Sequence, residues 1–201
     1  VTVVTPKIQF SIYSALVGRR QHFSSNGNGF YVYTPDSRTS PLAATIAQKH
    51  GTVDSLTTTA PTIPTASYYV YLDAYGLANG TDTLIVTAPG YLPDTAFVMV
   101  STPRLTNSGM PGSVTTTNPP LGINVFAADS AANAHYAMDT VVVAAVSSDT
   151  TVIRPVQRFF RILKGAYYAQ TTVGVVGPGA ASITYSDSAG TGYLPTTTNT
   201  I

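Results

Sequence analysis

The chain has 201 residues and a formal net charge of +1, with 10 Lys and Arg against 9 Asp and no Glu. Charged residues make up only 9%, where an ordinary soluble domain has about 25%, and Thr, Ser, Tyr and Val are abundant instead. That balance depletes helix formers and enriches residues that fit a pleated surface, which excludes a mainly helical fold, and it leaves no field for a polyanion.

Cysteine is absent, so neither a disulfide framework nor a thiolate metal site can form. No run of about 18 apolar residues is present, so no membrane helix is expected. Val1 is not a start methionine and no signal segment precedes it, so the chain is expected to be a processed form or an excerpt.

Taken in chain order, the strand signals come twice. Residues 1–5 (Val-Thr-Val-Val-Thr) alternate like a strand and run into Pro6-Lys7-Ile8. Phe-Tyr-Val-Tyr at 30–33 leads to a turn at Asp36-Ser37, because Asp bonds its own backbone two residues on. An apolar run at 42–47 suits a strand buried on both sides; 67–73 and 83–87 follow, the latter after an Asn79-Gly80 turn. Gly90-Tyr91-Leu92-Pro93 precedes a closing strand at 95–100. The series then restarts: Thr102-Pro103-Arg104-Leu105 lies 97 residues after Thr5-Pro6-Lys7-Ile8. Strands are expected at 123–126, 141–146, 167–173 and 182–186, with a turn at Asp129-Ser130, and Gly192-Tyr193-Leu194-Pro195 repeats at an offset of 102. Val53, Ile63 and Leu84 match Val152, Ile162 and Ile183 at 99.

Two copies of a module of roughly 100 residues, each with about seven short strands separated by Gly/Pro turns, predict an all-β chain of two tandem immunoglobulin-like β-sandwich domains. The boundary is placed at 1–97 and 98–201, with residues 1–5 belonging in phase to a preceding or neighbouring copy. A short connection through Pro103 is expected between them.

The module resembles the bacterial immunoglobulin-like (Big-type) tandem repeat of exported surface proteins. The resemblance rests on an ordered string. It comprises a short aliphatic strand, a Ser/Thr-Val segment such as 147–152, the Ile63-Pro64 strand entry, the Gly-rich stretch 76–91, and the alternating strand 95–100 running into Thr102-Pro103. It covers most of both copies and is weakest at 9–28 and 105–120. It implies an extracellular, cell-surface or periplasmic setting, with neighbouring immunoglobulin-like repeats or copies of itself, head to tail, as partners. It supplies no catalytic residues.

Chemistry-bearing patterns are sparse. His22, His50 and His135 have no ligand spacing and read as loop residues, and no G-x-S-x-G elbow is present. The nine aspartates read as solvated turn residues. Asp129, Asn133 and Asp139 are weak calcium candidates in one loop region, with an Asx turn as the simpler reading. Tyr68, Tyr69, Tyr71, Tyr167 and Tyr168 are weak ligand candidates, since exposed rings stack on sugars, although tyrosine also fills cross-strand pairs. Val1, Thr2, Val3, Val4 and Thr5 are assembly candidates, able to complete the open edge of the second copy in a neighbouring subunit. No catalytic residue, cofactor, resident metal, nucleic-acid partner or membrane insertion is expected. The leading function is a non-enzymatic structural or adhesive module of a surface or filament protein. The alternatives are a carbohydrate- or protein-binding sandwich, or an accessory subunit docked on a larger envelope complex.

Overall fold

Strand alternation organises the structure, a computed structural model that describes residues 4–24 and 29–201; among them no helix is present. The chain divides into two compact units, Val1–Ser101 and Thr102–Ile201.

The first unit runs β1 (Gln9–Phe10), β2 (Ser14–Gly18), β3 (Gln21–Phe23), β4 (Tyr31–Tyr33), β5 (Leu42–Ala43), β6 (Thr45–Gln48), β7 (Asp54–Leu56), β8 (Thr62–Ile63), β9 (Tyr69–Tyr71), β10 (Ala74–Gly76), β11 (Gly80–Thr87) and β12 (Asp94–Ser101). Residues 98–101 complete β12, which is why the division falls after Ser101 and not after 97. One layer pairs β1-β4-β9 and β3-β10-β7. The facing layer has the order β2-β12-β11-β6, with β5-β8 as a short extension. Alternation fills the space between: Leu84 and Val86 of β11 and Ala96, Val98 and Val100 of β12 point inward onto Phe10, Phe30, Val32 and Leu72.

The second unit contains β13 (Arg104–Ser108), β14 (Leu121–Ala128), β15 (Tyr136–Ala137), β16 (Val141–Ser147), β17 (Ile153–Pro155), β18 (Phe159–Ile162), β19 (Tyr168–Val175), β20 (Ile183–Asp187) and β21 (Thr196–Thr197). Its sheets are β13-β14-β19-β17 and β18-β16-β20-β21. In immunoglobulin nomenclature this is the A-B-E-D sheet against C-F-G, with β18 added beside C. The first unit repeats that order, except that β3/β4 share the span of β14 and β9/β10 that of β19. It also adds β2, which runs parallel to β12.

The repeated sequence motifs turn out to pair with one another. Ile8 N–H donates to Leu92 O at 3.1 Å and Leu92 N–H to Pro6 O at 2.8 Å. In the second unit Leu105 N–H donates to Leu194 O at 2.8 Å and Leu194 N–H to Pro103 O at 2.9 Å. The Thr-Pro-basic-aliphatic and Gly-Tyr-Leu-Pro motifs are thus two halves of one parallel latch. Of the six repeated apolar positions, Ile63, Leu84, Val152, Ile162 and Ile183 are buried, while Val53 is partly buried against the core.

Candidate functional site

Cross-strand register builds the most distinctive surface. In β4 and β9, Tyr31 stands opposite Tyr71 and Tyr33 opposite Tyr69. Residues two apart share a sheet face, so these four rings form a block on the outer side, while Val32 between them enters the core. Tyr69 and Tyr71 rings are 5.0 Å apart at 73°, and Tyr31 lies 5.4 Å from Tyr69 and 5.9 Å from Tyr71. Tyr68 joins at 5.0 Å from Tyr69. Tyr31, Tyr68, Tyr69 and Tyr71 line a shallow hollow of about 130 Å³. The Tyr69 phenol is pushed above its ordinary pKa, first by its hydrogen bond with Tyr71, so the two hydroxyls meet at the surface.

The second unit carries an equivalent face. Phe126 stands opposite Tyr168, and Asn124 opposite Gln170, in the same register. Tyr167 packs 5.0 Å from Tyr168 and 5.5 Å from Tyr136. The sequence-based ligand candidates Tyr68, Tyr69 and Tyr71 therefore gather in one cluster, and Tyr167 and Tyr168 in another. Tyr31, Tyr33, Asn124, Phe126, Tyr136 and Gln170 join them without having been singled out. The signal for Tyr31 and Tyr33 was their spacing of two; their partners depend on register, which no local pattern states.

The acids depart from expectation. Asp54, Asp82 and Asp129 are fully buried, not solvated turn residues. Gln48 Nε2 donates to Asp54 Oδ2 at 3.3 Å and to Asp82 Oδ2 at 3.4 Å, while the backbone N–H groups of His50 and Thr83 donate to Asp82 Oδ1. Asp54 Oδ1 has no donor against it. Burial, then the adjacent Asp82, push the Asp54 carboxyl up to about 7. Asp54 thus holds its proton to a higher pH than an exposed carboxyl does.

Asp129 forms an Asx turn: its Oδ1 accepts the N–H groups of Ala131 at 2.8 Å and Asn133 at 3.0 Å. Its Oδ2 lies 3.0 Å from Nε2 of His135, which is buried at 3% exposure and is not a loop-surface residue. Burial raises the Asp129 carboxyl, but hydrogen bonds from His135 and Asn133 outweigh it and hold the group below the usual range. Of the calcium candidates, Asp129 and Asn133 come together through that turn, with Asn133 Nδ2 donating to Asp129 Oδ2 at 3.1 Å; Asp139 is exposed. Among the described residues no group of three or more His, Cys, Asp or Glu gathers as a metal site. His22 stacks on Tyr75 and His50 is exposed, with Nδ1 3.8 Å from Asp82 Oδ1. Of the assembly candidates, Val1, Thr2 and Val3 lie outside the described residues; Val4 and Thr5 are exposed. No described helix is long and apolar enough to cross a membrane.

No family model matches the chain, and no curated protein matches it. Among solved structures it is similar to domains 5–6 of the S-layer protein SbsC, at 14% identity and a TM-score of 0.40, covering 98% of this chain and 96% of that one. It is also similar to the D00-D0 domain of intimin, at 11% identity and a TM-score of 0.41, covering 98% of both chains. The adhesin InvE of Yersinia pseudotuberculosis overlaps at 12% identity and a TM-score of 0.37, covering 98% of this chain and 58% of that one. These overlaps are loose, and the immunoglobulin-like assignment rests on the strand order of each unit.

Proposed function

We propose that the chain is a non-enzymatic structural and adhesive module of an exported, repeat-containing surface protein, built to carry tension. The observation that supports this reading is the parallel pairing of β2 with β12, Ser14–Gly18 against residues 97–101. Tension along a tandem chain pulls the N-terminal strands of a unit, here β1 and then β2, towards its start and the last strand towards its end. When those strands are parallel neighbours, the two pulls are opposed along one axis, and the hydrogen bonds between them are sheared together. In an antiparallel terminal hairpin they would open one at a time. The latches at Leu92 and Leu194 have the same parallel sense in both units. A module selected to hold a ligand in one pocket has no need of that arrangement twice; a spacer under tension does.

Neighbouring sandwiches of the same kind are the proposed partners. Residues 1–5 are the proposed contact segment, and the exposure of Val4 and Thr5 suits such a role. Antibody labelling of intact producer cells tests the location. Staining of unpermeabilised cells is expected, and a signal confined to permeabilised cells would refute export.

A further inference from the structure

The block of tyrosines on β4 and β9 has more surface than packing needs. Tyr68 and Tyr71 remain 46% and 52% exposed although their rings touch neighbours. Edge-to-face contacts at 73° and 89° leave ring faces and phenol oxygens open to solvent. The hollow they line has tyrosine on every side and no charged group in its wall. A phosphate, a carboxylate or a basic peptide finds no counter-charge there. An uncharged, hydroxyl-rich ring finds apolar faces for its C–H groups and phenols for its hydroxyls, which is the mixture of apolar wall and few polar groups that small-ligand sites use. A volume of about 130 Å³ suits one sugar ring, not a whole oligosaccharide.

The second unit supports the same chemistry independently. At the positions of Tyr33 and Tyr69 it has Phe126 and Tyr168, again a ring pair, 5.8 Å apart. At the positions of Tyr31 and Tyr71 it has Asn124 and Gln170, whose amides offer both donors and acceptors. Rings were kept at one pair and replaced by uncharged planar amides at the other. In neither unit does the block carry a charge. β4 is hydrogen-bonded on both sides, by β1 and β9, so what the block's centre offers a partner is side chains and not a free backbone edge.

We propose that this outer face of each unit is a binding platform for an uncharged glycan chain, with one sugar ring seated among Tyr31, Tyr68, Tyr69 and Tyr71. The platform goes beyond the tension-bearing role, because β2 and β12 take no part in it. A module without any glycan affinity would still keep its parallel clamp.

The chain has no tryptophan, so its intrinsic fluorescence reports tyrosine alone. The full chain is titrated with neutral hexasaccharides of β-1,4-glucose, β-1,4-mannose, β-1,3-glucose and α-1,4-glucose, and with hexagalacturonate as the charged comparator. Tyrosine emission and the aromatic NMR signals are followed. At least one neutral hexasaccharide is expected to shift them saturably at millimolar concentration, with hexagalacturonate at least about tenfold weaker. Tyr71→Ala is expected to weaken binding at least about tenfold, whereas Tyr71→Phe, which keeps the ring, is expected to stay within about threefold. The melting temperature of each variant establishes that it is folded, and Tyr68→Ala serves where Tyr71→Ala is not. No response to any neutral hexasaccharide, unchanged binding by the folded alanine variants, or equal binding of hexagalacturonate would overturn the proposal. Self-association in sedimentation that Tyr71→Ala abolishes, with no glycan response, would reassign the face to a protein contact and overturn it equally.

Discussion

Asp54 illustrates what one residue can impose on a unit. Its carboxyl sits at about 7 in the folded chain against 3.8 for the free group. A folded value above the unfolded one means that the folded state holds the proton more tightly. The resulting stability is fully present below pH 4, falls as the pH rises from about 4 to 7, and is flat above that. The difference corresponds to at most about 4 kcal/mol. The melting temperature of the first unit is therefore expected to drop across that window, and Asp54→Asn is expected to flatten it. A flat wild-type profile would mean that the folded chain does not hold the Asp54 proton more tightly than the unfolded one. His50 lies beside Asp82, with Nδ1 3.8 Å from Oδ1, and His50→Gln serves as the control variant. In the second unit the buried Tyr185 hydroxyl has no hydrogen-bond partner among the described residues, and burial pushes its pKa up. Removing an unsatisfied buried hydroxyl recovers its desolvation cost, so Tyr185→Phe is expected to stabilise that unit by about 1 kcal/mol in denaturant unfolding. A loss of stability would reveal a partner for the hydroxyl.

At the scale of elements, the repeat explains residues that composition cannot. Gly80, which begins β11, and Gly179, in the bend before β20, are equivalent positions with φ of 153° and 146°, a region that side chains rarely adopt. A Cβ on Gly179 would come within 2.5 Å of Val152 Cγ2, and one on Gly80 within 3.1 Å of Val53 Cγ2. The repeated Val and the repeated Gly are thus one contact seen twice. Gly179→Ala is expected to cost about 1–3 kcal/mol from backbone strain, with the Val152 clash added, in chemical unfolding. A neutral effect would show that this turn can relax. The strands at 141–147 and 183–187 were legible because apolar alternation and the offset of 99 reinforced each other. The pattern predicts one strand over 67–73, but the structure has β9, a break at Leu72-Asp73, then β10, because the Leu72 N–H goes to Phe30 O while Asp73 pairs with Thr57. β2 leaves no sequence signal, since 9–28 has weak alternation and its pairing is with a strand some eighty residues away. The tyrosine blocks were half legible: the residue type and spacing were visible, the cross-strand partners were not. The buried acids were illegible because a single Asp in a polar stretch looks the same whether solvated or enclosed.

For the whole molecule, the two units should differ in their answer to pH between about 4 and 7, while below that both lose stability. Burial raises Asp94 of the first unit, but its hydrogen bonds, led by Lys7, hold it below the usual carboxylate range. At the sites of Asp54 and Asp82 the second unit has Ile153 and Ala181, both buried. Its Asp129 and Asp187 are held below the usual carboxylate range: burial raises each, and hydrogen bonds outweigh it. Such depressed groups give stability that is present above pH 4 and is lost as the pH falls below it. Calorimetry of the full chain is expected to show two transitions, one falling between pH 4 and 7 and the other falling only below pH 4. Coincident transitions at every pH would contradict two independently organised cores.

The central claim, that the first unit is arranged to resist tension, rests on direction, and direction can be tested by changing only the points of pulling. The chain has no cysteine, so a pair of introduced thiols gives unambiguous handles for single-molecule stretching. Handles at Thr5→Cys and Thr102→Cys load the Lys7–Leu92 bridge and β1 and shear β2 against β12. Handles at Asn79→Cys and Thr102→Cys pull at one end of the antiparallel β11–β12 pair and unzip it. Forced unfolding is governed by the barrier along the pulling direction, so at equal pulling rate the first pair is expected to require a severalfold higher force than the second. Equal forces, or a lower force for the first pair, would contradict the account.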